Sequence, residues 1–491
     1  MRLDSASNST KNRGKYCFIT MPFYADLLKH KDHYVAIADT GDCLTYGNLF
    51  AFSTLVSELV RQRSLVFVLC ENTIGCFAGC AAFLNNRIVP LLLDASVDRE
   101  YLRDLINIYR PDYLYLPDRF RGEFSDYFLC LHQYEYQLLK TDCAPQAAVH
   151  DDLALLLSTS GSTGSPKQVR LSYQNLLSNG RAIIEYLGIT SDDRPITTLP
   201  FQYSFGFSII NSHLLAGATA LLTTRTLVEK GFWDFFREQG ASSFGGVPYT
   251  FEMLKRLRFF RMELPSLKTI TQAGGRLSVE LTREVAEYAV SKGIRFFVMY
   301  GQTEASPRMS YLPPEYMLSK CGSIGISIPG GEFFLQDENG CVIDANEQEG
   351  ELVYRGENVS MGYAECREDL SKGDELDGVL FTGDMARRDD DGFYYITGRK
   401  KRFIKLFGNR LNLDEAESMI KAVGVDCACC GLDDNMVIYL TQPGRENEVR
   451  QLMALKTGIH HSAFSVKLVT EIPKNESGKT QYLDLMGGVT K

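Results

Sequence analysis

The chain has 491 residues, too many for one ordinary domain, so a multi-lobed core with at least one further domain is expected. Hydrophobic residues make up 45% and charged residues 23%, ordinary globular values that exclude disorder along the whole chain. The net charge of -9 repels a phosphate backbone and disfavours general nucleic-acid binding.

The stretch before about Tyr34 is polar and has no apolar run like that of a secretory signal. Together with 13 cysteines, an odd number, this predicts reduced thiols and a cytoplasmic protein. From about Ser64 to Leu222, short apolar runs alternate with helix-like patterns: SLVFVLC, IGCFAGCAAFL, IVPLLLD, REYLRDLINIY, YLYL. That alternation predicts βαβ units around a buried, largely parallel sheet. The richest apolar segment, from Ile74 to Leu93, is interrupted by Asn85, Asn86 and Arg87. It reads as a buried helix running into a strand at Ile88–Leu93, not as a bilayer span.

The segment LALLLSTSGSTGSPKQVRLSYQNLLSNG carries the most chemistry. A buried strand, Leu153–Leu157, runs into Ser158, Thr159, Ser160, Gly161, Ser162, Thr163, Gly164, Ser165, Pro166 and Lys167. A short strand and a helix follow, with Ser172 as N-cap. Triphosphate oxygens need many close donors. Glycines let backbone N–H groups approach, hydroxyls add donors, and a lysine adds charge. A flexible linker is the competing reading, but linkers rarely follow directly on a core strand. The pattern is not the GxxxxGK[ST] of P-loop NTPases, because Lys167 follows proline. This loop is nearly identical to the signature of the superfamily of acyl-CoA synthetases, peptide-synthetase adenylation domains and firefly-type luciferases. The resemblance continues over most of the chain, in the expected order.

Downstream, LPFQYSFGFSII resembles the family segment beside the acyl pocket, with Tyr203 at the gate position, followed by Phe205 and Gly206. Further strands are predicted at TALLTT, SFGGV, LKTITQAGG and IRFFVMYG, each ending in a small or polar loop where ligands sit in α/β sheets. Gly274, Gly275 and Arg276 match the family's glycine turn against the nucleotide base. Tyr300, Gly301, Gln302, Thr303 and Glu304 match its YGxTE motif. Tyrosine offers a face to adenine, threonine a donor to the α-phosphate, and glutamate a hard ligand for Mg2+, which takes few carboxylates plus phosphates.

After about Gly322 the pattern changes. Asn339-Gly340 and Asp391-Gly392 are hairpin signals, which predict an antiparallel β subdomain over about 322–398. Asp384 in FTGD and Arg399 in TGRKKR resemble the family's ribose-binding carboxylate and its neighbouring arginine. Lys401 falls at the family's hinge position and Gly408 at the glycine that lines the thiol's approach. The run VDCACCGL holds Cys427, Cys429 and Cys430 but lacks the paired CxxC spacing of a zinc site, so it reads as a buried strand. Lys479, in PKNESGKTQ, matches the family's catalytic lysine, with Pro473 and Gly478 in register.

The expected fold is therefore α/β. Residues 1–398 form a large domain of βα-layered sheets plus the β subdomain. Residues 402–491 form a small mobile α+β domain. The resemblance implies ATP and Mg2+ as requirements, and a reaction in two halves. A carboxylate displaces pyrophosphate to give an acyl-AMP, with Lys479 and Lys167 as charge partners, and a thiol then attacks after the small domain turns about Lys401. Catalytic roles fall to Lys479, Thr303 and Glu304. Gly206 stands where amino-acid-activating relatives carry an aspartate, and a buried ammonium without a partner is costly. An α-amino acid is therefore disfavoured, while the neighbours Phe201, Phe205 and Phe207 suggest an apolar or aromatic acid. The acceptor is CoA or a phosphopantetheine carrier protein. CoA is favoured because free-standing family members commonly use it. Rival readings are a nucleotide-binding relative without catalysis, against which Lys167, Glu304, Asp384 and Lys479 all speak, and a luciferase-like oxygenase.

Overall fold

The computed structural model describes residues 23–24, 27–143, 148–158, 167–406, 409–432, 435–474 and 480–486. Its largest sheet has eight strands. Their spatial order is Tyr363–Ala364, Gln168–Ser172, Leu153–Ser158, Val89–Asp94, Leu65–Cys70, Tyr113–Pro117, Tyr136–Lys140, Phe128–Gln133. The strands from Leu153–Ser158 to Tyr113–Pro117 are mutually parallel. The pairs on both flanks are antiparallel. The parallel character expected of this region thus holds at its centre only. For Gln168–Ser172 the reason is chain length: it follows Leu153–Ser158 too closely for a crossover, and so short a connection permits only an antiparallel partner.

Central strands such as Leu65–Cys70 are buried along their whole length, which is why they read as unbroken apolar runs. Helix Ile74–Asn85 is buried almost all round. Helix Arg99–Tyr109 buries one stripe, Leu102, Leu105, Ile106 and Tyr109, against the other face. Helix Tyr173–Leu187 begins at Ser172 as expected. The Ser172 hydroxyl accepts from Asn175 N, while Asn175 Oδ1 accepts from Ser172 N.

A second sheet has the order Ser243–Gly246, Thr269–Gln272, Arg295–Gly301, Arg308–Leu312, Ile326–Ser327, parallel through its first three strands. A third, antiparallel sheet contains Gly331–Gln336, Gly350–Gly356, Val379–Arg388 and Tyr394–Arg399. Its two predicted turns are present. Gly340 and Gly392 take φ of 82° and 86°, values that favour glycine. Asp337 and Asp389 each accept backbone N–H bonds across their turns.

Beyond Arg399 the chain forms helix Leu413–Lys421, then strands Cys427–Leu432, Asn435–Leu440 and Phe464–Leu468 in a separate sheet. Cys427, Cys429 and Cys430 are buried in the first of these strands, as expected. Three other thiols, of Cys70, Cys76 and Cys80, lie within 4.8 Å of one another in the core. Among the described residues no helix is long and apolar enough to cross a membrane.

Candidate functional site

Thr159, Ser160, Gly161, Ser162, Thr163 and Gly164 lie outside the described residues. Their flanks are described: Ser158 and Gln168 are register partners, joined by a side-chain hydrogen bond of 2.8 Å. The flanking strands therefore pair up to the C-terminal edge of the parallel strands, the edge where α/β sheets bind ligands.

Lys167 precedes the second of these strands, with its Nζ 3.7 Å from the centre of the Tyr363 ring. The Tyr363 hydroxyl donates to Glu304 Oε1 at 2.9 Å. A lysine of one predicted motif and the glutamate of another thus meet on one tyrosine. Burial, and then the Glu304 carboxylate, raise the Tyr363 pKa, so the phenol stays protonated and donating. Tyr363 is held in place by Arg170, a fully buried side chain. The Arg170 guanidinium donates to the carbonyls of Tyr363, Met361, Lys372 and Gly373 and pairs with Glu375. Neither Tyr363 nor Arg170 stands out in the sequence. Tyr363 acts through strand register, opposite Val169, and that pairing has no local signal.

Thr303 and Glu304 sit in a single 3-10 turn, Thr303–Ala305, directly after strand Arg295–Gly301. Gly301 is required at this bend, because a Cβ there would lie 1.7 Å from the Pro307 carbonyl oxygen. Thr303 Oγ1 is 3.0 Å from Ser204 Oγ, which joins the YGQTE turn to the helix of the predicted acyl segment.

Tyr300, Gln302, Asp384 and Arg399 form one cluster. The Tyr300 hydroxyl donates to Asp384 Oδ2 at 2.5 Å and Gln302 Nε2 donates to the same oxygen at 3.0 Å. Arg399 Nε pairs with Asp384 Oδ1 at 3.1 Å. Burial and the adjacent carboxylate hold the Tyr300 phenol well above its usual pKa. A carboxylate has about four acceptor sites, so Oδ1 retains capacity for a further donor while Oδ2 is occupied. Asp384 taking both ribose hydroxyls requires Tyr300 or Gln302 to yield.

Gly274 has φ of 82°, and a Cβ there would meet the Tyr203 hydroxyl at 2.5 Å and Val247 at 3.0 Å. The glycine turn is therefore packed directly onto the predicted gate residue. Gly275 lies against Pro248, and Arg276 is exposed. Phe205 is buried. A Cβ on Gly206 would lie 2.3 Å from the Pro200 carbonyl oxygen, so packing alone demands glycine here. The missing aspartate at 206 is then no independent statement about substrate.

The backbone of Lys401 lies in the short turn Lys400–Arg402, but its side chain is outside the described residues, as are Gly408 and Lys479. The segment that carries Lys479 is bounded by Lys474 and Thr480, which bridge each other.

The family model described as AMP-binding enzyme matches residues 24–364. A 2-succinylbenzoate–CoA ligase of Bacillus cytotoxicus is 29% identical over 339 residues, covering 66% of this chain and 68% of that protein. A medium-chain fatty-acid–CoA ligase of Escherichia coli is 24% identical over 462 residues, covering 89% of this chain and 76% of its own. Among solved structures, an o-succinylbenzoate CoA synthetase of Bacillus subtilis, in complex with its acyl-adenylate intermediate, has the same fold. Its TM-score is 0.77 at 22% identity, covering 95% of this chain and 98% of that one.

Proposed function

This chain belongs to the AMP-binding enzyme family, and from that premise we propose that it is an ATP-dependent acid–thiol ligase. It activates a carboxylic acid as an acyl-AMP with release of pyrophosphate, then forms a thioester with CoA. The observation that carries this reading is the meeting of Lys167 and Glu304 on Tyr363, with Gln302 of the same YGQTE run bound to Asp384.

Each group has a physical task. Lys167 neutralises phosphate charge. Glu304 would hold Mg2+ through its carboxylate, and the ion would supply positive charge to offset that of the phosphates. Thr303 donates to the α-phosphate, and Asp384 with Arg399 anchors the ribose side. Lys479, brought in by the small domain, offsets the charge that gathers as the carboxylate attacks phosphorus. Rotation of residues 402–491 about Lys401 then withdraws it and admits the thiol past Gly408. CoA is preferred to a carrier protein as acceptor because the named relatives are CoA ligases. The cysteine usage fits a reducing, cytoplasmic setting.

Lys479→Ala tests this reading. Acid-dependent exchange between ATP and pyrophosphate falls a hundredfold or more, the usual order for one lost transition-state charge contact, while ATP still binds in a direct titration. Exchange at the wild-type rate contradicts the assignment.

A further inference from the structure

Next to the proposed acyl gate lies a guanidinium without a counter-charge. Arg308 begins the strand Arg308–Leu312 and is only 1% exposed. Its Nη1 contacts the Tyr186 hydroxyl at 3.4 Å and the Met299 sulfur, and its Nη2 donates to Ser208 Oγ at 3.1 Å. Its Cζ lies 4.2 Å from the centre of the Phe205 ring. All of these partners are neutral, and Nε has no acceptor among the described residues. Arginine does not shed its proton in a protein, and a buried charge without a partner is costly.

The same side chain lines a cavity between helices Tyr173–Leu187 and Ser204–Leu215 and the strands Ser243–Gly246 and Thr269–Gln272. Ile209 and Thr271 share that lining, and both crowd Gly245 together with Phe205, so the cavity borders the proposed acyl residues. Three other titratable groups face it. Asp193 is already engaged: Oδ2 accepts from Thr190 N at 2.9 Å and Oδ1 from Ser242 Oγ at 3.0 Å. His213 is neutral near pH 7, since burial lowers its pKa to about 4. Arg295 adds a second positive charge. The lining therefore carries two guanidinium groups against one committed carboxylate.

The geometry also sets a distance. Ser204, at the start of its helix, contacts Thr303 on the nucleotide side, and Ser208, one turn further, accepts from Arg308. One turn advances about 5–6 Å.

We propose that Arg308 pairs with a second carboxylate on the acid, so that the enzyme's substrates are short dicarboxylic acids. One carboxylate is activated at the nucleotide and the other is bound by Arg308 in the acyl cavity. This rests on the ligase reading above. Arginine's planar fork suits a carboxylate held in two hydrogen bonds.

The test is pyrophosphate release by the full chain with Mg-ATP and CoA, using straight-chain acids of four to eight carbons. Each length is supplied as the monocarboxylate, the α,ω-dicarboxylate and the dicarboxylate's monoamide, to wild type and Arg308→Met. In wild type, at least one dicarboxylate exceeds its two partners tenfold or more in kcat/KM. Arg308→Met inverts the order, losing on the dicarboxylate and gaining on the monocarboxylate. A purely structural arginine would lower all three together. Equal use of monocarboxylate or monoamide by wild type overturns the proposal and leaves the ligase reading intact. Release with no acid of any class, aromatic acids included, overturns the ligase reading and this proposal with it. If Arg308→Met does not fold, the wild-type ratios decide alone.

Discussion

Tyr363 shows what one residue adds to motifs that are already legible. Lys167, Glu304 and Asp384 could be picked from the sequence because each stands in a short pattern whose chemistry is plain: a cation after a Ser/Gly run, a carboxylate after a strand end, a carboxylate in a tight turn. What brings Lys167 to Glu304 is an aromatic ring in the unremarkable run MGYAE. Its hydroxyl orients the Glu304 carboxylate while its face receives the ammonium. Tyr363→Phe separates the two tasks. The ring remains for Lys167, and the hydrogen bond to Glu304 is lost. A hydrogen bond to a charged group contributes roughly 1.5–3 kcal/mol. The Mg2+ concentration for half-maximal pyrophosphate exchange is expected to rise about tenfold, with little change in the KM for ATP at saturating Mg2+. An unchanged Mg2+ response refutes the role given to this hydroxyl. Gly206 teaches the opposite lesson. Its identity looked like a statement about the acid, but the Pro200 carbonyl leaves no room for any side chain.

At the scale of elements, the edge of the large sheet positions the site. Strand Gln168–Ser172 follows Lys167, and Tyr363–Ala364 is laid against it. The join is made by Arg170, whose guanidinium satisfies the carbonyls of a loop that would otherwise bury unpaired acceptors. Arg170→Met removes those bonds and leaves buried carbonyls and Glu375 without their partner. The expected loss is about 1–3 kcal/mol, read as a lower urea midpoint, as for leaving buried acceptors without their donor, since Glu375 is half exposed and remains solvated. A midpoint within error of wild type contradicts the clamp. The strands themselves were legible, because fully buried strands appear as apolar runs and Ser172 announces the following helix. The antiparallel flanks were not, since pairing direction depends on connection length and partner choice, which hydrophobic pattern does not encode. Arg170 was hidden for a related reason: a charged residue in a short strand reads as solvent-facing unless its long-range acceptors are known.

At the scale of the molecule, the change from βα alternation to hairpin signals near Gly322 anticipated the passage from sheets with parallel strands to an antiparallel one. Glycines at Gly340 and Gly392 marked the turns because positive φ is costly for other residues. The acid's identity was the least legible feature. The specificity proposed above rests on a cavity whose walls come from helices and strands far apart in sequence, as Ile183, Ile209 and Arg308 show. On the function proposed above, these parts act on one nucleotide to make an acyl-AMP. Mass spectrometry of the wild-type enzyme with Mg-ATP and its preferred acid tests it most directly. Acyl-AMP and pyrophosphate are expected to form without CoA, and added CoA is expected to convert the acyl-AMP to acyl-CoA and AMP. ADP and phosphate as products, or AMP formed at the same rate with no acid present, would contradict the account.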